Sequence, residues 1–488
     1  MVISFRKNTL SETSWIYIAL LIALSFAIYW RTLSFGFVLD DYFQDRHYSL
    51  KEIITTFYSS QDPRGITANF YRPLAVMSHA LSYFIFKTNP FGYHLINILH
   101  YTINVILVYF IMRKITRKLP PAITLGDFRS GMGKCFILSC TRTNSIFSFV
   151  AAILFLLIPY NSVHASGITY RADTIMTLFY LSSFLAFISF YNNQGQKRLF
   201  YYLSILGFIF SLMSKEMAVT LPFILLSYSY LESKRLEMKL ITPYLVILCA
   251  YMLFRFFIFK GIGGYGTIFP LYGTIPLHWC LAFLRTFLLF SYTDFACLPI
   301  YLALIFILFF LSIHHFKSFE NKNKIFFAFS WIGITILPLY TISSFRLLYL
   351  PSIGFAMLLS LICSELYKKN FKYPVIFIIG LCVMMLPINM KYQDAFSPAS
   401  GIVLHCDKTM YVDYHNKLDK EQLTILEQKL EKYGLLNEAK DLLKRGEKVY
   451  NPEAEKTSIA AYIKKLYKHG GLDLILRKHF CAISPSDN

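Results

Sequence analysis

Long apolar stretches alternate with short polar segments over the first 390 residues of the chain. A helix that crosses the ~30 Å hydrocarbon core of a bilayer needs about 20 mostly apolar residues, because each residue rises about 1.5 Å. Two apolar stretches, 71–86 and 276–292, are interrupted by Pro, His and Arg and are predicted to lie along the membrane surface. The remaining stretches predict eleven transmembrane helices, near residues 15–34, 93–112, 145–163, 174–191, 199–214, 217–231, 241–259, 298–315, 325–341, 347–364 and 374–390.

The pattern changes after residue 390. Residues 391–488 carry 16 basic and 14 acidic side chains, and leucines recur at helical spacing on both sides of Tyr433-Gly434. A second break, His469-Gly470-Gly471, follows at close to the ~34-residue tetratricopeptide period. The sequence therefore predicts an all-α polytopic membrane domain over 1–390 and a small soluble helical tail over 391–488. The tail is either two divergent tetratricopeptide units or an ordinary helical hairpin.

Composition and charge support a membrane protein. Hydrophobic residues make up 56% of the chain and charged residues only 16%, whereas soluble domains carry about 25% charged residues. The net charge of +20 would suggest a nucleic-acid partner in a soluble protein, but most of it lies between the apolar stretches. With the N-terminus inside, the predicted cytosolic segments carry 20 basic and 6 acidic residues, as the positive-inside rule requires. Eleven spans then place the tail in a periplasm or an organelle lumen, and no nucleic acid is expected as a partner.

Two adjacent carboxylates, Asp40 and Asp41, directly follow the first predicted span on the outward face. At the membrane surface such a pair could deprotonate an acceptor hydroxyl or hold a cation. An ordinary solvated loop start or a helix cap is the alternative interpretation of this dipeptide.

Other polar side chains fall at the outward ends of several spans. They are Arg72, His94, Arg171, Asp173, Lys215, Glu216 and Arg346. Arginine binds phosphate with two parallel hydrogen bonds, so a ring of cations around a carboxylate pair suits a lipid substrate with a phosphate headgroup. A single interfacial arginine is more often a snorkelling anchor.

These residues lie in motifs that occur in a characteristic order. They are Asp40-Asp41, Tyr71-Arg72-Pro73-Leu74, Asn89 to Asn97 (NPFGYHLIN), Tyr170-Arg171-Ala172-Asp173, Ser214-Lys215-Glu216 and Arg346 to Phe355 (RLLYLPSIGF). In order and spacing the chain resembles the transmembrane and tetratricopeptide-repeat (TMTC) O-mannosyltransferases and their bacterial relatives. The resemblance covers most of residues 30–360.

The resemblance implies a GT-C glycosyltransferase fold and an inverting transfer. Such enzymes move a sugar from a polyprenyl-phosphate carrier to an acceptor hydroxyl on the periplasmic or lumenal face. By resemblance, Asp40 is expected to be the catalytic carboxylate, with Asp41 as its neighbour. Arg171, Arg72, Lys215 and Arg346 are expected to contact the carrier phosphate, and His94, Asp173 and Glu216 to complete the donor site.

The chain departs from the family pattern before the Arg-Ala-Asp motif. Relatives carry a His-Pro-x-His-x-Glu stretch there, whereas this chain reads Ile158-Pro159-Tyr160-Asn161-Ser162-Val163-His164. One histidine and a distant aspartate are a poor ligand set, so no metal is expected, and a divalent cation has no support. The short tail favours a bacterial-type relative in an inner membrane over a protein of the endoplasmic reticulum.

Three classes of function stay open at this point. An enzyme with a protein Ser/Thr acceptor is favoured because of the repeat-like tail, and a glycolipid or polysaccharide acceptor is the closest alternative. A transporter would place ionisable residues near the bilayer midplane, and Arg255 is the nearest example here. A non-catalytic scaffold would account for the missing His/Glu stretch.

Overall fold

The computed structural model describes most of the chain. The described residues are 12–38, 41–44, 46–60, 70–116, 132–193, 195–260, 275–287, 298–339, 345–369, 373–413, 415–418 and 420–446. No β-strand occurs among them. The α-helices are α1 (Glu12–Tyr29), α2 (Asp41–Gln44), α3 (Leu50–Thr55), α4 (Pro73–Phe86), α5 (Pro90–Thr116), α6 (Met132–Leu157), α7 (Ser162–Ser166), α8 (Arg171–Asn192), α9 (Arg198–Leu212), α10 (Leu221–Ser233), α11 (Met238–Phe259), α12 (Ile275–Phe287), α13 (Leu298–His315), α14 (Lys322–Ile336), α15 (Tyr349–Tyr367), α16 (Tyr373–Asp394), α17 (Gly401–Asp413), α18 (Lys420–Lys432) and α19 (Leu436–Arg445).

Every apolar stretch that the sequence predicts as a span contains a helix. Seven segments of the described chain are long and apolar enough to cross a membrane, and a bent helix pair makes up to eight. They are Ser14–Ser34, Pro90–Thr116, Ile168–Asn192, Met238–Phe259, Tyr301–Ser318, Phe345–Tyr367 and Tyr373–Asp394, with the bent pair Asn144–Leu157 and Pro159–Ser166. The all-α polytopic membrane architecture is thereby confirmed.

The predicted count of eleven spans stays a prediction. The other three predicted spans form the helices α9, α10 and α14, which have only 13 to 15 residues. The stretches predicted to lie along the membrane surface form α4 and α12, of 14 and 13 residues.

The centre of the bundle is α15. In the segment Phe345–Tyr367, 94% of the most apolar part is buried, whereas only 17% is buried in the segment Tyr301–Ser318, which includes most of α13. Gly354 explains the close packing of α15, because a Cβ atom there would lie 2.7 Å from the Trp331 ring of α14. Peripheral helices instead expose large apolar side chains such as Phe257 and Phe306, as expected for contact with lipid.

A sharp bend of 65° interrupts the bundle between α6 and α7. Pro159 stands at this point, and proline removes a backbone donor and disfavours continuation of a helix. A short 3₁₀ turn, Pro159–Asn161, then leads into α7, and a second one, Ile168–Tyr170, leads into α8. The connection is buried almost throughout and runs at the end of the bundle where α5, α8, α10 and α15 begin, which we call the site end.

The tail begins with α17 and continues in the helical hairpin α18–α19. Gly434 lies between these two helices with a φ of +72°, a conformation that glycine adopts without strain. The first predicted helix pair is therefore present where the sequence places it. The second unit, around His469-Gly470-Gly471, lies outside the described residues, so the repeat and the domain boundary at 390 stay predictions.

Candidate functional site

The structure describes one member of the predicted carboxylate pair. Asp40 lies outside the described residues, and Asp41 begins α2 with only 3% of its surface exposed. Its Oδ2 accepts a hydrogen bond from the Val38 backbone N–H at 2.9 Å, and its Oδ1 accepts one from the Thr169 backbone N–H at 2.9 Å. The Thr169 hydroxyl also donates to Oδ1. Asp41 thus fastens the loop after α1 to the turn that starts α8.

Residues 167–173, which contain that turn, are where the predicted site residues meet. The backbone carbonyl of Gly167 accepts a hydrogen bond from the Asn97 side-chain amide at 2.9 Å. The ring of Tyr170 lies 5.9 Å from the guanidinium carbon of Arg346, which comes from the 3₁₀ segment Phe345–Leu348 before α15. Motifs that are far apart in sequence are therefore in contact at the site end.

Asp173 and Lys215 form a buried ion pair within this region. The Lys215 Nζ lies 2.7 and 2.6 Å from the two carboxylate oxygens of Asp173, and both side chains are over 90% buried. The Nε2 atom of His164 lies 4.0 Å from the same carboxylate, and its ring stacks on Tyr349 with a centroid distance of 4.2 Å. His164 is fully buried. The single histidine in the segment where the chain departs from the family pattern therefore lies beside Asp173, a predicted donor-site residue.

Arg72 and Glu216 form a second, more exposed ion pair beside the first. The Nη2 and Nε atoms of Arg72 donate to the two oxygens of Glu216 at 2.7 and 3.3 Å. Burial disfavours the charged carboxylate, but Arg72 and Lys215 oppose this effect and lower the pKa of Glu216 to about 2. The side chains of Arg72 and Glu216 are 11% and 28% exposed.

Local structure explains why the two pairs are adjacent. Lys215 and Glu216 are consecutive at the break between α9 and α10, where the 3₁₀ turn Glu216–Thr220 begins. The Leu74 backbone N–H donates to the Met213 carbonyl at 3.3 Å, so the start of α4 lies against the same break. This contact brings Arg72 to the side of Glu216.

A third cation, Arg255 of α11, acts electrostatically on Glu216. Arg255 is 97% buried and donates to the Tyr251 hydroxyl at 3.0 Å. Three cations, Arg72, Lys215 and Arg255, are thus grouped with two carboxylates, Glu216 and Asp173. We call these five residues the ion-pair cluster, and its formal charge is positive.

Arg171 is held in a different way. It is fully buried, and its Nε donates to Asn97 Oδ1 at 2.8 Å. Its Nη1 donates to Ser82 Oγ at 2.7 Å and to the Ser78 carbonyl at 3.3 Å, and its Nη2 donates to the Tyr93 carbonyl at 3.0 Å. The guanidinium therefore joins α4, α5 and α8, and at least four of its five N–H groups donate within the fold.

His94 is also part of the packing around this arginine. It lies on α5 one residue after Tyr93, is 99% buried, and faces the ring edge of Phe35 with a centroid distance of 6.2 Å. The predicted His94 and Arg171 thus lie on the α5 side of the site end, whereas Arg72, Lys215, Glu216 and Asp173 lie together in the ion-pair cluster.

Sequence reasoning assigned no role to Asn97, Thr169 or Ser82. The signal for Asn97 was an amide in an apolar span, because such a group needs a buried partner. Thr169 and Ser82 carry no comparable signal. Arg255 was visible as a cation in a span, but its link to Glu216 was not.

The described ranges contain no set of residues suited to bind a metal ion. No three His, Cys, Asp or Glu side chains lie close enough there to hold an ion. Metal independence stays a prediction, since Asp40 and other acidic residues fall outside those ranges.

The comparisons with known proteins point to one group. No family model matches the chain, and no solved structure matches it. The chain is 27% identical over 179 residues to the protein O-mannosyl-transferase TMTC3 of Mus musculus, a match that covers 35% of this chain and 16% of that protein. It is 26% identical over 163 residues to Tmtc3 of Drosophila melanogaster, covering 32% and 17%. It is 28% identical over 238 residues to TMTC2 of Homo sapiens, covering 45% and 25%.

The matched stretches span only about a sixth to a quarter of these curated relatives. These relatives carry the TMTC name, which is that of the family the chain resembles in its motifs. Over the matched stretches this chain is accordingly similar to the TMTC protein O-mannosyl-transferases.

Proposed function

We propose that this chain is an integral-membrane glycosyltransferase that moves mannose from a polyprenyl-phosphate carrier to a Ser or Thr hydroxyl of a protein. The observation that carries the proposal is the ion-pair cluster, in which Arg72 and Lys215 pair with two carboxylates at the site end. The names of the relatives, protein O-mannosyl-transferases, support the sugar and the acceptor.

The chemistry requires a base and a site for a leaving anion. We propose an inverting transfer on a GT-C fold, in which Asp40 takes the proton of the acceptor hydroxyl as its oxygen bonds to the sugar C1. The bond between C1 and the phosphate oxygen breaks, and the polyprenyl phosphate leaves with the bonding electron pair. General-base assistance typically contributes about 10²–10⁴-fold.

The cations of the cluster oppose the charge that develops on the leaving phosphate. Arg72 is the most suitable, because it is partly exposed and its planar guanidinium can exchange a carboxylate for a phosphate of similar geometry. Lys215 and Arg255 add positive charge from a buried position, where electrostatic interactions are stronger than in water. Asp41 keeps the loop against Thr169, so we assign it a positioning role beside Asp40.

The side of the membrane and the compartment are part of the proposal. The excess of basic residues in the predicted cytosolic segments favours a site on the opposite face. The sequence favoured a bacterial inner membrane, but the relatives named above are animal proteins and give that preference no support. We propose the endoplasmic reticulum, with the site and the tail in its lumen.

The test is sugar transfer by the purified, reconstituted protein. Polyprenyl-phosphate mannose labelled in the sugar is the donor, and a Ser/Thr-rich peptide and a glycolipid are offered in separate reactions. We expect mannosylated peptide from the wild type and a loss of at least about 10²-fold in Asp40→Asn. Asp394→Asn is the matched control, because Asp394 pairs with Arg31 in an exposed salt bridge at the same end of the bundle.

Three other results would each reject part of the proposal. Wild-type rates in Asp40→Asn would remove Asp40 as the base. Transfer to the glycolipid alone would replace the acceptor. No transfer by the wild type to either acceptor would favour a non-catalytic scaffold.

A further inference from the structure

The tail does not stand apart from the membrane domain. The Nζ of Lys429, on α18, donates to the Phe37 carbonyl at 2.9 Å and pairs with the Asp407 carboxylate of α17 at 2.6 Å. Asp407 is fully buried, and the Lys429 side chain is only 13% exposed. A buried ion pair of the tail therefore rests directly on the backbone of the loop after α1.

A second set of contacts joins the tail to Tyr42 of α2 and to Tyr83 of α4. The Gln422 side-chain amide of α18 donates to the Tyr42 carbonyl, and the Tyr42 hydroxyl lies 3.5 Å from Asp407 Oδ1. On α4, the Tyr83 hydroxyl donates to Glu421 at 2.9 Å. Val38 and Asp41 are joined by a backbone hydrogen bond and by a bond from the Val38 N–H to the Asp41 side chain. The tail thus contacts the residue before this pair, Phe37, and the residue after it, Tyr42.

Other charged pairs of the tail have a different character. Lys440 and Glu427 lie 3.7 Å apart with side chains that are 44% and 40% exposed. Such surface pairs contribute little to stability. The Lys429–Asp407 pair is buried, where desolvation cancels much of the Coulomb energy, and its best-attested use is to fix one arrangement of the elements that it joins.

The Lys429–Asp407 pair is charged at neutral pH, as an ion pair that fixes the arrangement of these elements requires. Burial raises the pKa of Asp407 to about 6, although Lys429 and Tyr42 act in the opposite direction. Asp407 is therefore ionised at neutral pH and can hold the lysine in place. The groups that face it are Lys429 from α18 and Tyr42 from α2.

We infer that the helical tail clamps the segment after α1 at Phe37 and Tyr42, with Lys429, Asp407 and Gln422 as positioning residues for the reaction. The inference rests on the proposed function, because it makes the tail a part of the transferase site and not a separate binding module. A small displacement of a reacting group can cost as much as about 10²-fold in rate. The clamp therefore acts on turnover and leaves donor binding at the ion-pair cluster unchanged.

The test uses the full-length protein and two readouts. Lys429→Met keeps the aliphatic stem and removes the ammonium, and Lys440→Met makes the same change at the exposed pair. We expect Lys429→Met to lower kcat for mannose transfer by about 10-fold or more, with the donor KM within about twofold of the wild type. Amide hydrogen exchange of residues 35–42 should rise in Lys429→Met and stay unchanged in Lys440→Met.

A double variant separates positioning from stability. Lys429→Met with Asp407→Asn leaves no unpaired buried charge, so it should regain thermal stability yet keep the low kcat and the fast exchange. A return of kcat to the wild-type value in the double variant would overturn the inference, as would unchanged exchange in Lys429→Met. If the wild type transfers no sugar, the proposed function fails, and hydrogen exchange alone still shows whether the tail clamps the loop.

Discussion

Arg171 and the ion-pair cluster lie at the same end of the bundle, but their charges are held in opposite ways. Arg171 is fully buried and bound by the neutral oxygens of Asn97, Ser82 and Tyr93. Arg72 and Lys215 are bound by carboxylates, and Arg72 is partly exposed. A guanidinium whose donors join its own helix to two others stabilises the fold, whereas a cation paired with a carboxylate can exchange that partner for a phosphate. Position in a motif therefore does not decide the role of a cation at this site.

The largest effect expected from this comparison is in Arg171→Met. The substitution leaves the buried Asn97, Ser82 and Tyr93 oxygens without their donor, and each unsatisfied group costs about 1–3 kcal/mol. We expect the variant to unfold at a much lower temperature or to aggregate when it is extracted in detergent. Thermal unfolding followed by size-exclusion chromatography measures this. A variant that is as stable as the wild type but fails to bind donor would make Arg171 a phosphate ligand after all.

Lys215→Met tests the buried half of the ion-pair cluster. The change leaves the Asp173 carboxylate buried without its cation, and breaking such a pair costs about 3–5 kcal/mol. Lys215→Met with Asp173→Asn removes both charges, so it should recover most of the thermal stability but not the transfer activity. Recovery of both properties would show that the pair only supports the fold.

Arg72→Gln is expected to have the smallest effect on folding. The Arg72–Glu216 pair is more exposed than the Lys215–Asp173 pair, so water compensates the loss of Arg72 better than it compensates the loss of Lys215. Loss of a charged hydrogen bond to the donor phosphate should instead lower kcat/KM for the lipid-linked sugar by about 10-fold. Arg31→Gln is the control, because Arg31 pairs with Asp394 at the surface of the same end. Equal losses in both variants would point to a general effect of surface charge.

The sequence predicted the helices and the end of the bundle where the polar groups meet. Each apolar stretch has a composition that specifies a helix, and the motifs at helix starts then fall at one end for topological reasons alone. The role of Arg171 could not be predicted, because it depends on Ser82 and Asn97, which come from other helices. The contact of Lys429 with Phe37 joins residues almost 400 positions apart, and no local pattern encodes such a pairing.

The most direct test of the account is a structure of the Asp40→Asn variant with polyprenyl-phosphate mannose bound. We expect the phosphate to lie within hydrogen-bonding distance of Arg72 or Lys215, while Arg171 keeps its bonds to Asn97 and Ser82. A phosphate bound by Arg171, with the bond to Asn97 broken, would contradict this expectation.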